Sequence, residues 1–194
     1  MSRKNPYDIS FAVGSHMNPT QKAICNEYLR QYAAIGPDRI SIKGLSAAIP
    51  IARTTFYTYY DNIGELKEDI ENSFVAAIME NTKVIYTGSF EKTISRESAH
   101  ALAAYFDENR EVLSTFLLKR PNPDFTRKWT IALKYDLYEF FRHHGTRKEI
   151  DFPLEILASA IITTYTYYIR QPDAIDIDKS IDTLRGLLAK MGLL

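Results

Sequence analysis

From Pro19 onward the apolar residues return at intervals of three and four, and nowhere do they alternate with polar ones between turn residues. A period near 3.6 aligns side chains along one face of a helix, whereas a strand needs a period of two. This pattern confines the chain to an all-α fold. Prolines and glycines, which end helices, then divide it. Ile24, Cys25, Tyr28, Leu29 and Tyr32 share one helix that Gly36-Pro37 closes. Two short helices should follow, the first capped by Ser41 and broken at Ile49-Pro50, the second running through Thr54 to about Tyr59. A long helix is expected from about Asn62 to Ile85, with Ile63, Leu66, Ile70, Phe74, Ala77 and Ile78 facing inward. Gly88 marks a loop, and Ser95 can cap a helix through Leu102 and Phe106. A short helix holds Val112, Leu113, Phe116 and Leu117 and ends before Pro121. Phe125 to Phe141 describes an amphipathic helix stopped by Gly145. Pro153 opens the next helix and Pro172 ends it. The last carries Ile177, Ile181, Leu184, Leu188 and Met191.

Three parts are therefore expected: a flexible arm at 1–17, a compact unit at 18–66 and a helical body at 67–194. In the arm, Gly14-Ser15-His16-Met17 has the look of a vector-derived cleavage scar. With 45% hydrophobic and 25% charged residues, the composition is that of a globular protein. The charge-free run Ile156 to Ile169 is shorter than the roughly 20 residues that span a bilayer. One cysteine, Cys25, excludes an internal disulfide, so a soluble, cytoplasmic protein with no membrane partner is expected. Formal net charge is zero. From Asn18 to Lys67, however, Lys22, Arg30, Arg39, Lys43, Arg53 and Lys67 face only Glu27, Asp38, Asp61 and Glu65. That mild local excess permits a DNA-facing end.

The informative stretch is Ser41 to Tyr60. Two short helices around a tight turn, each with one apolar face, make a helix-turn-helix. Ile42, Leu45 and Ile49 would pack inward from the first, Ile51 and Phe56 around the second. Arg53, Thr54, Tyr57 and Thr58 would face out, hydrogen-bonding groups without negative charge, as a major-groove surface requires. An ordinary helical hairpin with solvated polar residues has the same pattern, and periodicity alone does not choose between them.

Thr55-Phe56-Tyr57, Tyr59-Tyr60 and then Glu65-Leu66 resemble the DNA-binding domain of TetR-family transcriptional regulators, over about Pro19 to Glu71. Ala99 to Gly145 and Pro153 to Pro172 look similar to a subgroup found in low-GC Gram-positive bacteria. The resemblance implies an N-terminal three-helix DNA-binding domain joined to a C-terminal helical bundle for dimerisation and ligand binding. It implies that Lys43 and Arg53 reach base edges or phosphates, and that Thr54 and Thr55, with Thr58 beside them, contact the groove. Tyr57 and Tyr59 would donate to phosphates, and Lys67 would add another phosphate contact. Pro50 stands where the family often has glycine, and Ile63 where it often has lysine. The implied protein is a homodimeric regulator, a repressor on a palindromic double-stranded operator. A co-regulator acting through protein contacts is the alternative.

The helix from Pro153 to Arg170 is apolar on most faces and must be covered on several sides. A partner subunit or a monomeric bundle could cover it. By the resemblance, the dimer interface lies on the last two helices, through Leu157, Ile161, Tyr165, Tyr168, Ile181, Leu184 and Leu188. A small-molecule effector would lie among Phe106, Phe116, Trp129, Leu133, Tyr138 and Tyr165, although core packing needs the same residue types. No enzyme, cofactor or metal is expected. His143 and His144 are adjacent and would point apart on a helix, Cys25 lies on an apolar face, and no glycine-rich phosphate loop occurs.

Overall fold

The computed structural model describes residues 17–82, 96–143 and 150–190. Among them are nine α-helices and no strand. Helix α1 (Pro19–Ile35) begins at a capping box, in which Asn18 Oδ1 accepts from Gln21 N at 2.9 Å and Gln21 Oε1 accepts from Asn18 N at 3.2 Å. Both reciprocal bonds satisfy amides that a helix start leaves orphaned. After Gly36 and a 3₁₀ turn (Pro37–Arg39) come α2 (Ile42–Ala48) and α3 (Arg53–Tyr57). Helix α4 (Ile63–Thr82) leads out of this trihelical head into the body. The body holds α5 (Arg96–Glu108), α6 (Arg110–Ser114), α7 (Pro123–His143), α8 (Asp151–Arg170) and α9 (Ile177–Lys190). In it α4 packs on α5 and α7, α7 on α8, and α5 on α9.

The head and body share one core. Ile24, Tyr28, Leu45 and Phe56 of the head belong to the same buried cluster as Leu66, Ile70, Phe106, Phe116, Trp129 and Tyr165. A second cluster, Leu137, Phe140, Phe141, Ile150, Leu154 and Leu157, closes the far end of α7 and α8. The expected Gly88 loop, Ser95 cap, Gly145 stop and the tail of the long helix to Ile85 lie outside the described residues.

Three local features differ from expectation. Met17, placed in the arm, packs against the core with its Sδ 3.8 Å from Cys25 Sγ. The helix expected at Val112–Leu117 is α6 followed by a π-helical turn, Thr115–Lys119, whose end is tied by Arg120 N to Thr115 O at 2.8 Å. Helix α8 starts at Asp151, two residues before Pro153, because a first-turn residue needs no intrahelical amide donor.

Candidate nucleic-acid interface

Helix α2 is held at its start by Ser41 Oγ, which accepts from Gly44 N at 3.1 Å, and ends at Ile49, whose backbone turns extended. Pro50 cannot continue the helix, so the chain turns there, and the carbonyl of Ala52 takes the first amide of α3, from Thr55, at 3.0 Å. The two helices meet the rest of the head through Leu45 and Phe56, both fully buried, and through Tyr60. Ile42, Ile49 and Ile51 pack around them. The Tyr60 ring lies 5.8 Å from Phe56, and its hydroxyl donates to Asp69 Oδ2 at 2.9 Å, locking the end of α3 onto α4. Burial raises the pKa of both the Tyr60 phenol and the Cys25 thiol, which sits 3.6 Å from that hydroxyl. Cys25 packs in the head core.

With one side of the pair fixed inward, the other is set. Lys43, Ala47, Ala48, Pro50, Ala52, Arg53, Thr54, Tyr57 and Thr58 are exposed, and the stretch from Ser41 to Tyr60 contains no Asp or Glu. Neither Lys43 nor Arg53 meets a carboxylate among the described residues. Tyr57 is 54% exposed while its ring stands edge-on to Phe56 at 5.9 Å, so a large hydroxyl-bearing side chain is presented at the surface. Two more cations, Lys22 on α1 and Arg39 before α2, are exposed and meet no carboxylate among the described residues; in the sequence only the local charge excess marks them.

Other predicted contact residues sit differently. Thr55 and Tyr59 are half-buried, Tyr59 packing against the core, and the Thr58 hydroxyl donates to Thr54 O at 3.1 Å. Lys67 does not stand free for a phosphate. Its ammonium is bound to Asp124 at 2.6 Å and to Glu71 at 3.0 Å. Burial alone would lower the Lys67 pKa, but the hydrogen bonds to Asp124 and Glu71 outweigh it and raise the pKa. Glu71 lies one turn further along α4, where helical spacing alone places it beside Lys67, whereas Asp124 is 57 residues away and only the packed fold brings it there.

The predicted effector residues Phe106, Phe116, Trp129, Leu133 and Tyr165 are buried. Phe106 packs on Trp129 and Tyr165 at 5.6 and 4.8 Å. Tyr138 is not among them; it packs on the second cluster. The Trp129 indole N–H is buried without a hydrogen-bond partner among the described residues. The predicted dimer residues also need correction. Leu157, Tyr165, Tyr168 and Ile181 are at most 9% exposed within a single chain. Ile161 and Leu184 are half-buried, and the Leu188 side chain lies outside the described residues. The outward face of α8 is instead Phe152, Ile156, Ser159, Thr163 and Tyr167, with Phe152 75% exposed, and α9 adds Leu187. Among the described residues no cluster of His, Cys, Asp or Glu could hold a metal ion, and no helix is long and apolar enough to cross a membrane.

No protein-family model matches the chain, and no curated protein resembles it in sequence. Its fold matches two solved structures. One is a protein described as a TetR family transcription regulator from Shewanella sp. PV-4, with TM-score 0.62, 14% identity, and 88% of this chain and 96% of the other covered. The second is the fatty acid degradation regulator FadR from Bacillus halodurans, with TM-score 0.52, 17% identity, and 90% and 96% covered. At these identities the likeness establishes the fold.

Proposed function

We propose that this chain is a sequence-specific DNA-binding transcription regulator of the TetR type, a homodimer that places α3 of each head in the major groove of a palindromic operator. The observation that carries this reading is the surface of α2 and α3. It is rigidly backed, exposed, without any acidic residue, and equipped with the unpaired cations Lys43 and Arg53. Arg53, with Thr54 and Tyr57 beside it, offers base-edge and phosphate donors, and Lys22 and Arg39 extend the positive surface. Two solved regulators of the same fold support the reading.

The dimer forms through the outward stripe of α8 and through α9. Phe152, Ile156 and Tyr167 surround a middle of Ser159 and Thr163, small enough for two helices to approach closely. Bound to a promoter, such a dimer represses by obstruction. A small-molecule effector binds among Phe106, Trp129, Leu133 and Tyr165, where the buried Trp129 indole N–H has no partner among the described residues. Because Trp129 is the chain's only tryptophan, its fluorescence reports that binding directly.

The test is an anisotropy titration of the purified protein against the DNA upstream of its own gene, at two salt concentrations. Tight, competitor-resistant binding that weakens with salt supports the proposal, since neutralised phosphates release counterions. A folded dimer that binds no DNA at low salt overturns it in favour of a co-regulator that works through protein contacts.

A further inference from the structure

The stretch that follows the π-helical turn grips both the head and the helix leading out of it. Arg120 reaches the C-terminus of α1, where Nε donates to Ala33 O and Nη2 to Ala34 O, each at 3.1 Å. Tyr32 Oη, from the same helix, donates to the Arg120 carbonyl at 3.4 Å. Helix α1 has no basic residue in its own last turn, so this guanidinium is the cation facing its carbonyl end. The fit there is tight. Gly36, at φ 86°, lies so close that an added Cβ would stand 2.8 Å from Arg120 Nη1.

Two residues further on, Asn122 makes the second grip. Its Oδ1 caps α7 by accepting from Phe125 N at 3.1 Å, while its Nδ2 donates to Glu71 Oε1 at 2.7 Å. Glu71, on α4, is 2% exposed and also meets Lys67 at 3.0 Å and Lys128 at 2.9 Å. A buried carboxylate is costly unless its oxygens are occupied, and here three donors occupy them. Residues 120–128 thus hold α1 at one point and α4 at another. Two fixed points on two helices remove the head's freedom to swing about α4.

We infer that Arg120 and Glu71 are positioning residues that set the angle of the head on the body, and through it the half-site spacing that the dimer accepts. The inference rests on the proposed DNA-reading function. Neither residue belongs to the α2–α3 surface, so they act on spacing and leave base preference to Arg53.

The experiment uses full-length protein, wild type and the Arg120→Ala and Glu71→Gln variants, on fragments whose two identical half-sites are separated by spacers changed one base pair at a time. Wild type should discriminate against a one-base-pair error by about tenfold, and the variants by about threefold or less, with the same preferred half-site. Arg120→Lys should restore part of the discrimination, since an ammonium reaches one carbonyl where the guanidinium fork reaches two. A wild-type spacer profile in both variants, or an equal loss of base preference, overturns the inference. A DNA-independent measurement separates it from the function itself. Spin labels at Lys22→Cys and Ala104→Cys, in a Cys25→Ala background and mixed with an excess of unlabelled chain so that a dimer carries one labelled copy, report the head-to-body distance within one chain. The distribution should be narrow in the parent and wider in Arg120→Ala. An unchanged width overturns the inference whether or not DNA is bound.

Discussion

At the scale of single residues, the exposed side chains of α3 differ in kind from those that hold the fold. Arg53 is exposed, unpaired and opens α3, so Arg53→Ala should cost about 1–3 kcal/mol of operator affinity without altering thermal stability. Tyr57→Phe should instead weaken binding across all sequences, as loss of a phosphate donor does. Equal affinity of Arg53→Ala and wild type in the same titration would remove Arg53 from the reading surface. Gly36 is a holding residue. Gly36→Ala places an alanine at φ 86° and ψ 158°, a region that only glycine adopts readily, at a cost of about 1–3 kcal/mol, and pushes its Cβ against Arg120. Urea denaturation should show a smaller penalty for the same change in an Arg120→Ala background, because the clash is then gone. The exposure of Arg53, Thr54 and Tyr57 was legible because they share the polar side of one short helix in a stretch without acids. The pairing of Lys67 with Asp124 was not legible, since the two are 57 residues apart and only the packed fold brings them together.

At the scale of elements, helix ends carry much of the specification, and several are finished by residues remote in sequence. Arg120 serves α1, and Arg110 serves α8 by donating to Ile169 O at 2.9 Å while its guanidinium lies 5.3 Å from the Tyr168 ring. Asn122 both caps α7 and partners the buried Glu71. Asn122→Ala should therefore destabilise the protein by about 2 kcal/mol or more, beyond the roughly 1 kcal/mol of an ordinary lost cap such as Asn18→Ala. Denaturant midpoints that rank the two variants equally would contradict the second role.

Two carboxylates that accept from basic side chains titrate low. The hydrogen bond from Arg30 lowers the Glu27 pKa, and that from Lys67 lowers the Asp124 pKa. A depressed pKa means that the folded state binds the proton less readily than the unfolded chain. The stability contributed is full above the ordinary carboxylate range, about 4, and is lost as pH falls through the lower folded values. Thermal melts at pH 5 and pH 3 should show a smaller acid penalty in Lys67→Met than in wild type.

Helix order was readable from periodicity, which is why α1, α2, α3 and α7 fall close to where the pattern puts them. The π-helical turn was not readable, since an i→i+5 bond adds a residue without disturbing the apolar spacing of Val112, Leu113, Phe116 and Leu117.

At the scale of the whole molecule, one continuous core joins head and body, so the boundary expected near residue 66 falls inside α4 rather than in a linker. The face of α8 that points outward was the hardest to foresee. Helix α8 is apolar nearly all round, and periodicity cannot say which of two apolar stripes turns inward. The structure turns Leu154, Leu157, Ala158, Tyr165 and Tyr168 into the protomer, leaving Phe152, Ile156 and Tyr167 outside. Phe152→Glu with Ile156→Glu should yield a folded monomer in sedimentation velocity, with operator binding reduced by a hundredfold or more on the order of the avidity that two linked sites supply. A variant that stays dimeric would move the interface elsewhere.

In the proposed function α3 reads DNA as one of a symmetric pair. The most direct measurement is selection of binding sites from a fully randomised duplex library by wild type and by Arg53→Ala. The account predicts an enriched inverted repeat, with half-site centres about 10 base pairs or a multiple apart, and loss of preference at one symmetric position in the variant. No enriched motif, or a motif without two-fold symmetry that Arg53→Ala leaves intact, would contradict it.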